Sequence, residues 1–206
     1  MEAVQLNRTQ FFNDLASDWD VHEDYLPNQQ RLSDMIECLD IHPGHAVLDI
    51  GTGTGIAIDP LKEAVGSAGT VFGIDLSIQM LSKVSGAHSG LILGDCQTLP
   101  VQASSLDVIF AFSVVPHIDK VEQFIKQCGR VLKTGGLLVI LHFMSREVIN
   151  DFHRKAGTAV QYDTLPCCGE LDECARENYF VRTEFQEDED LFLWTARKLN
   201  KQTLSN

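Results

Sequence analysis

The sequence has no apolar run approaching the ~20 residues needed to span a bilayer. Its longest apolar stretch, Leu137 to Met144, is interrupted by His142. The start, Met1-Glu2-Ala3-Val4-Gln5, has neither a basic region nor an apolar segment, so no secretory signal is expected. Basic residues are scarce: 16 Lys and Arg stand against 29 Asp and Glu, a net charge of −13. That balance works against non-specific nucleic-acid binding, whose affinity comes mainly from Lys and Arg on phosphates. It equally disfavours docking on anionic membrane surfaces. Internal repeats, low-complexity tracts and Pro/Ser-rich linkers are all missing, so 206 residues are expected to form one domain, 1–206. Six cysteines (Cys38, Cys96, Cys128, Cys167, Cys168 and Cys174) are scattered, without the spacing of a disulfide framework. Free thiols in a reducing, cytoplasmic setting fit them better.

What is present is an alternation of short apolar, β-rich runs with helical patterns, the signature of an α/β fold whose parallel sheet is covered on both faces. The runs are His45–Ile50, Thr70–Asp75, Leu91–Leu93, Asp107–Phe112 and Leu137–His142. Their continuous apolar character suits strands buried on both sides. Between them, Ile56–Val65 predicts a helix closed by Gly66 in the left-handed region, and Ser77–Val84 one capped by Ser77. In Asp119–Leu132 the residues Phe124, Ile125, Cys128, Val131 and Leu132 form a helical stripe that should face the sheet, with the helix closing at Gly135-Gly136. Two helices, around Thr9–Trp19 and Asn28–Leu39, precede the first strand. After the fifth strand, Ser145 caps a predicted helix through Ala156, and another covers Gly169–Glu177. The tail predicts two strands, Phe180–Phe185 and Asp190–Arg197, joined by the acidic turn Gln186–Glu189 and therefore antiparallel.

The most informative stretch is Val47-Leu48-Asp49-Ile50-Gly51-Thr52-Gly53-Thr54-Gly55. A buried strand runs into a glycine-rich turn that opens a helix, which brings backbone close to a bound ligand beyond the carboxyl end of the sheet. The spacing is G-x-G-x-G rather than the dinucleotide G-x-G-x-x-G. Asp49 ahead of it would repel a pyrophosphate and suit an ammonium group. Asp75 closes the second run, where an acid commonly takes ribose hydroxyls. Asp95, in Gly94-Asp95-Cys96, follows the third, placed to accept from the exocyclic amine of a purine. Three acids at successive strand ends describe a cationic nucleoside better than a phosphorylated one.

These segments, with Val71–Ser77, Gly94–Pro100, Leu106–Phe112 and Arg130-Val131-Leu132-Lys133-Thr134-Gly135-Gly136, resemble the class I S-adenosylmethionine-dependent methyltransferases in order and spacing, from about Phe11 to Lys198. Thr134 stands where many relatives have Pro. The resemblance implies a Rossmann-like, doubly wound sheet of seven strands in order 3-2-1-4-5-7-6, strand 7 antiparallel, with helices on both faces. It implies S-adenosylmethionine as cofactor and S-adenosylhomocysteine as product. By position, Asp49, Gly51, Thr52, Gly53 and Gly55 would cradle the methionine end. Asp75, followed by Leu76, would hold the ribose, and Asp95 with Cys96 the adenine. Phe112 and Ser113 would lie beside the sulfonium and the acceptor. Phe11–Asp20 is similar to the N-terminal lid of small-molecule methyltransferases, with Trp19 closing over the cofactor. The expected division is a lid (1–40), a cofactor core (41–143), a helical substrate-side insertion (144–178) and a C-terminal hairpin (179–198).

Acceptor-side candidates project from the ends of the fourth and fifth strands. His117 follows the fourth and His142 closes the fifth. Arg146, Asn150 and His153 fall at i, i+4, i+7 on one helical face. They form either a substrate-reading surface or that helix's solvated side, and His117 has a structural alternative too. A base is needed only when the nucleophile arrives protonated. The expected enzyme methylates a small molecule. A non-catalytic S-adenosylmethionine sensor or scaffold is the first alternative. The second is a metal or metalloid methyltransferase using Cys167, Cys168 and Cys174, although C-C-x₅-C matches no standard zinc spacing and no metal ligand is assigned. A nucleic-acid substrate is disfavoured because Phe112-Ser113-Val114-Val115 stands where an Asn/Asp-Pro-Pro-aromatic motif would.

Overall fold

The computed structural model describes residues 2–21, 25–86, 88–156 and 159–200. Seven strands, with helices around them, run in the order β3-β2-β1-β4-β5-β7-β6, as the family pattern implies. The chain divides into two compact units, residues 1–95 and 96–206.

The first unit holds helices α1 (Glu2–Leu15), α2 (Tyr25–Cys38), α3 (Ile58–Val65) and α4 (Ile78–Leu81), and strands β1 (Ala46–Ile50), β2 (Thr70–Asp75) and β3 (Gly90–Leu93). All three strands are parallel, with Ala46 opposite Thr70 and Phe72 opposite Gly90. Val47, Leu48 and Ile50 are fully buried, as the unbroken apolar run requires. Two helical expectations need correction. Gly66 ends α3 at φ 63 but ψ −166, so a positive φ is used without the left-handed helical conformation. The helix after Ser77 is one turn, Ile78–Leu81, because Val84 falls outside it; Ser77 caps it as predicted, its hydroxyl accepting from the Met80 N–H at 3.0 Å.

The second unit holds β4 (Leu106–Phe112), α5 (Val121–Val131), β5 (Leu132–His142), α6 (Arg146–Ala156), α7 (Cys168–Glu177), β6 (Phe180–Asp188) and β7 (Leu191–Lys198). The stripe on α5 is buried as expected: Phe124, Ile125, Cys128 and Val131 are fully inaccessible. The Gly-Gly pair does not end that helix. β5 begins at Leu132, which pairs with Leu106, whereas Val108 pairs with Leu137; residues 133–136 thus stand opposite Asp107 alone, and the exposed 133–135 bulge out, with Gly135 at φ 81. β4 and β5 are parallel, and β7 is antiparallel to both β5 and β6. The hairpin turn is shorter than Gln186–Glu189: β6 continues to Asp188, whose carboxylate accepts the Asp190 N–H at 3.0 Å. Among the described residues no helix is long and apolar enough to cross a membrane.

Trp194 is the largest fully buried side chain, and its indole N–H donates to the Asp172 carboxylate of α7 at 2.9 Å. Trp194→Ala should therefore cost about 3–5 kcal/mol in urea unfolding, chiefly through the large cavity it leaves, since Asp172 keeps its ion pair with Arg182 at 3.2 Å. Trp194→Phe should cost clearly less.

Candidate active site

In the first unit the glycine turn is built by backbone freedom and close approach. Gly51, Gly53 and Gly55 sit at φ 61, 54 and 94, a region that L side chains rarely adopt. Thr52 folds back, buried, and its hydroxyl donates to Asp49 Oδ2 at 2.6 Å. Thr52 has room because Gly73 on the neighbouring strand lacks a side chain: a Cβ there would come within 2.8 Å of Thr52 Cγ2. Asp75, at the end of β2, spans two backbone donors, Gly53 N–H at 2.9 Å and Ser77 N–H at 2.8 Å.

Asp49 is 2% exposed, and burial raises its pKa from 3.8 to about 7. The Thr52 hydroxyl pulls the other way and the Asp75 charge adds to the rise. A carboxyl held this far from water is poised for a cation, whose arrival favours the ionised form. Leu76 is 37% exposed beside Asp75, and Asp95 is half-buried after β3. Trp19 lies on a 3₁₀ turn, Trp19–Val21, with its ring edge-on to Phe12 at 6.1 Å.

Two contacts of this N-terminal segment have no counterpart in the sequence motifs. Thr54 donates to Asp20 Oδ1 at 2.5 Å, and Ser77 donates to Asn13 Oδ1 at 2.6 Å. They tie α1 and the turn after it to the glycine loop and to the end of β2. Asn13 and Asp20 show no periodic or motif signal, since their partners lie 64 and 34 residues away.

In the second unit, Cys96 opens a 3₁₀ turn, Cys96–Thr98. Phe112 ends β4 and stacks edge-on against Phe143 at 4.9 Å. Ser113 follows at φ 53, an uncommon conformation for a non-glycine residue, and its N–H donates to Leu141 O at 2.9 Å. The three predicted histidines come together. His142, 3% exposed, is the last residue of β5; His117 ends a 3₁₀ turn, Val115–His117, just past β4; His153 is buried on α6. The His117 and His153 rings are 4.9 Å apart.

Asp163, absent from every motif, organises two of them. Its carboxylate is 2.6 Å from His117 Nδ1, and its main-chain carbonyl accepts from His153 Nδ1 at 3.1 Å. Asn150 closes the same segment by accepting from Leu165 N–H at 2.7 Å and donating to Leu165 O at 3.3 Å. Asn150 and His153 are thus turned inward, and neither belongs to a solvated face. Arg146 parts from them: its charge acts on Glu170, and its N–H donates to Glu187 at 3.1 Å. His142 Nε2 is buried without a hydrogen-bond partner. Burial, then the neighbouring His117 and His153, lowers the His142 pKa from 6.5 to about 3, so its ring is neutral at physiological pH.

The cysteine alternative gains nothing from this geometry. Cys167 caps α7, its N–H donating to Glu170 at 2.7 Å, and burial raises the Cys168 and Cys174 thiols. Among the described residues no three His, Cys, Asp or Glu side chains converge as a metal site.

Residues 48–140 match the family model described as a methyltransferase domain. The chain is 27% identical over 180 residues to a ubiquinone/menaquinone biosynthesis C-methyltransferase of Cereibacter sphaeroides, covering 82% of this chain and 70% of that one. It is 33% identical over 109 residues to a malonyl-[acyl-carrier protein] O-methyltransferase of Coxiella burnetii, covering 53% of this chain and 37% of that one. Both relatives therefore carry sequence that this chain does not match. Among solved structures, a SAM-dependent methyltransferase of Thermotoga maritima, described as a possible histamine N-methyltransferase, has the same fold. Its TM-score is 0.71, at 19% identity, over 96% of this chain and all of that one. The matched domain and the fold are those of the class I S-adenosylmethionine-dependent methyltransferases, for which S-adenosylmethionine is the cofactor.

The folded chain binds the Asp49 proton more tightly than the unfolded chain does. Its contribution is therefore favourable at low pH and is lost as pH rises from 3.8 to about 7. Asp49→Asn should accordingly gain stability over the wild type across that window, by on the order of a few kcal/mol in urea unfolding. His142 acts in the opposite sense: its contribution is full above 6.5 and declines as pH falls towards about 3. His142→Asn should flatten that acid limb in the same measurement.

Proposed function

We propose that this chain transfers a methyl group from S-adenosylmethionine to a small-molecule acceptor by in-line displacement, the two units serving as one methyltransferase domain. The observation that carries the proposal is the pairing of a buried, raised Asp49 with Asp75 on one glycine turn, which suits a ligand bearing a cation and a ribose. When bound, S-adenosylmethionine supplies an electrophilic methyl on a sulfonium. The residues assigned to it in the first unit are Asp49, Gly51, Thr52, Gly53 and Gly55 for the methionine end, Asp75 and Leu76 for the ribose, Asp95 for the adenine, and Trp19 as a cover. In the second unit Cys96 and Phe112 join them. Ser113, Arg146 and Asn150 are assigned to the acceptor side, with His142, His117 and His153 as the groups that orient the acceptor or take its proton. Positioning and exclusion of water supply much of the rate in such a displacement.

A small-molecule acceptor is favoured by the relatives, one named for quinone biosynthesis and the other for a malonyl group on a carrier. A buried imidazole nitrogen without a hydrogen-bond partner, His142 Nε2, beside two further imidazoles is the observation that favours transfer over a sensor or scaffold. Isothermal titration should show S-adenosylmethionine binding that Asp75→Ala weakens by about 10–100-fold, the loss of two ribose hydrogen bonds to a charged group. Absence of binding in the wild type would overturn the proposal. Formation of S-adenosylhomocysteine with a metabolite extract separates transfer from sensing.

A further inference from the structure

The surroundings of Asp49 in the first unit are short of positive charge. Its carboxyl has one side-chain hydrogen bond, from the Thr52 hydroxyl to Oδ2, and among the described residues no Lys, Arg or His forms an ion pair with it. The charge that acts on it is another acid, Asp75, two residues beyond the Gly73 that stands opposite Asp49 on β2. The other charged groups on the parts of this unit that meet β1 and its turn bring no cation to it. Asp20 holds the Thr54 hydroxyl, Asp59 and Glu63 on α3 are acids, and Lys62 on α3 donates to the Gly69 carbonyl at 2.8 Å.

A carboxylate this deeply buried is neutralised either by a cation or by a proton. The protein by itself offers no cation, so the carboxyl keeps a proton far above the usual carboxylate range, in line with its rise to about 7. Thr52 occupies Oδ2 and leaves Oδ1 for that proton. Whatever displaces the proton must bring a positive charge to the same carboxyl.

We infer that the α-ammonium of the cofactor takes the place of the proton on Asp49, so that capture of S-adenosylmethionine at the glycine turn releases a proton to solvent. The inference rests on the methyl-transfer reading above and goes beyond it in fixing the charge state in which the turn waits. The exchange balances: one positive charge leaves with the proton and one arrives with the ammonium. The turn carries the same net charge with and without ligand, and the ionised carboxylate exists only with a cation beside it. Asp49 thereby recognises the amino-acid end of the ligand, because a nucleoside without an ammonium cannot displace the proton.

Titration calorimetry of the full chain in two buffers of different ionisation enthalpy counts the protons. For a carboxyl that titrates at about 7, S-adenosylmethionine should release about 0.9 proton at about pH 6 and almost none at about pH 8.5. The dissociation constant should fall about tenfold between the two. S-adenosylhomocysteine, which keeps the ammonium and lacks the sulfonium, should release the same number. Methylthioadenosine, which keeps the nucleoside and lacks the amino-acid end, should bind without release or not bind. In Asp49→Asn the release should vanish, and affinity for S-adenosylhomocysteine should no longer change over this pH range. Release with S-adenosylmethionine but not with S-adenosylhomocysteine overturns the ammonium assignment. Release with methylthioadenosine, or release undiminished in Asp49→Asn, overturns the exchange. The ¹³C carboxyl signal of Asp49 in the unliganded wild type gives a check that needs no variant: it should titrate at about 7, and one already ionised at about pH 5.5 overturns the proposal. Binding without proton release leaves the methyl-transfer reading standing and defeats the exchange alone, whereas no binding of either S-adenosyl compound defeats both.

Discussion

The burial of the Asp49 carboxyl is the constraint around which the first unit is arranged. A carboxylate taken out of water is costly unless something compensates it. In this chain the compensation is partial, a single hydroxyl from Thr52. To deliver that hydroxyl the chain must reverse at Gly51 and Gly53, and Thr52 must lie against a strand position that bears no side chain, Gly73. Asp75 then takes up the N–H of Gly53. The small residues after β1 are those that let one desolvated acid reach its single hydroxyl partner.

The second unit is organised on the opposite electrostatic principle. Its candidate residues are imidazoles rather than acids, and His142 is held neutral by burial. Their order is imposed from one side by strand ends and from the other by the segment between α6 and α7, through Asp163 and the Asn150–Leu165 pair.

The strands were legible because each of them buries both faces: Val108 to Ala111 and Leu138 to Leu141 are fully inaccessible, and such runs leave an unmistakable apolar block. The start of β5 was not, since Lys133-Thr134-Gly135-Gly136 has the composition of a loop and only the bulged pairing with β4 makes it part of the strand. The glycine turn and its acids, and the histidines at strand ends, were readable because their positions follow from local order. Asp163, Asn13, Asp20 and the hydrogen bonds of Asn150 to Leu165 were not. Each acts on a partner many residues away, or on main chain, and neither kind of contact leaves a spacing in the sequence.

Because Asp163 reaches one imidazole with its side chain and another with its backbone, the two cannot be retuned separately by changes of chain length. An insertion or deletion between His153 and Asp163 shifts carbonyl and carboxylate together, so both rings lose these contacts at once.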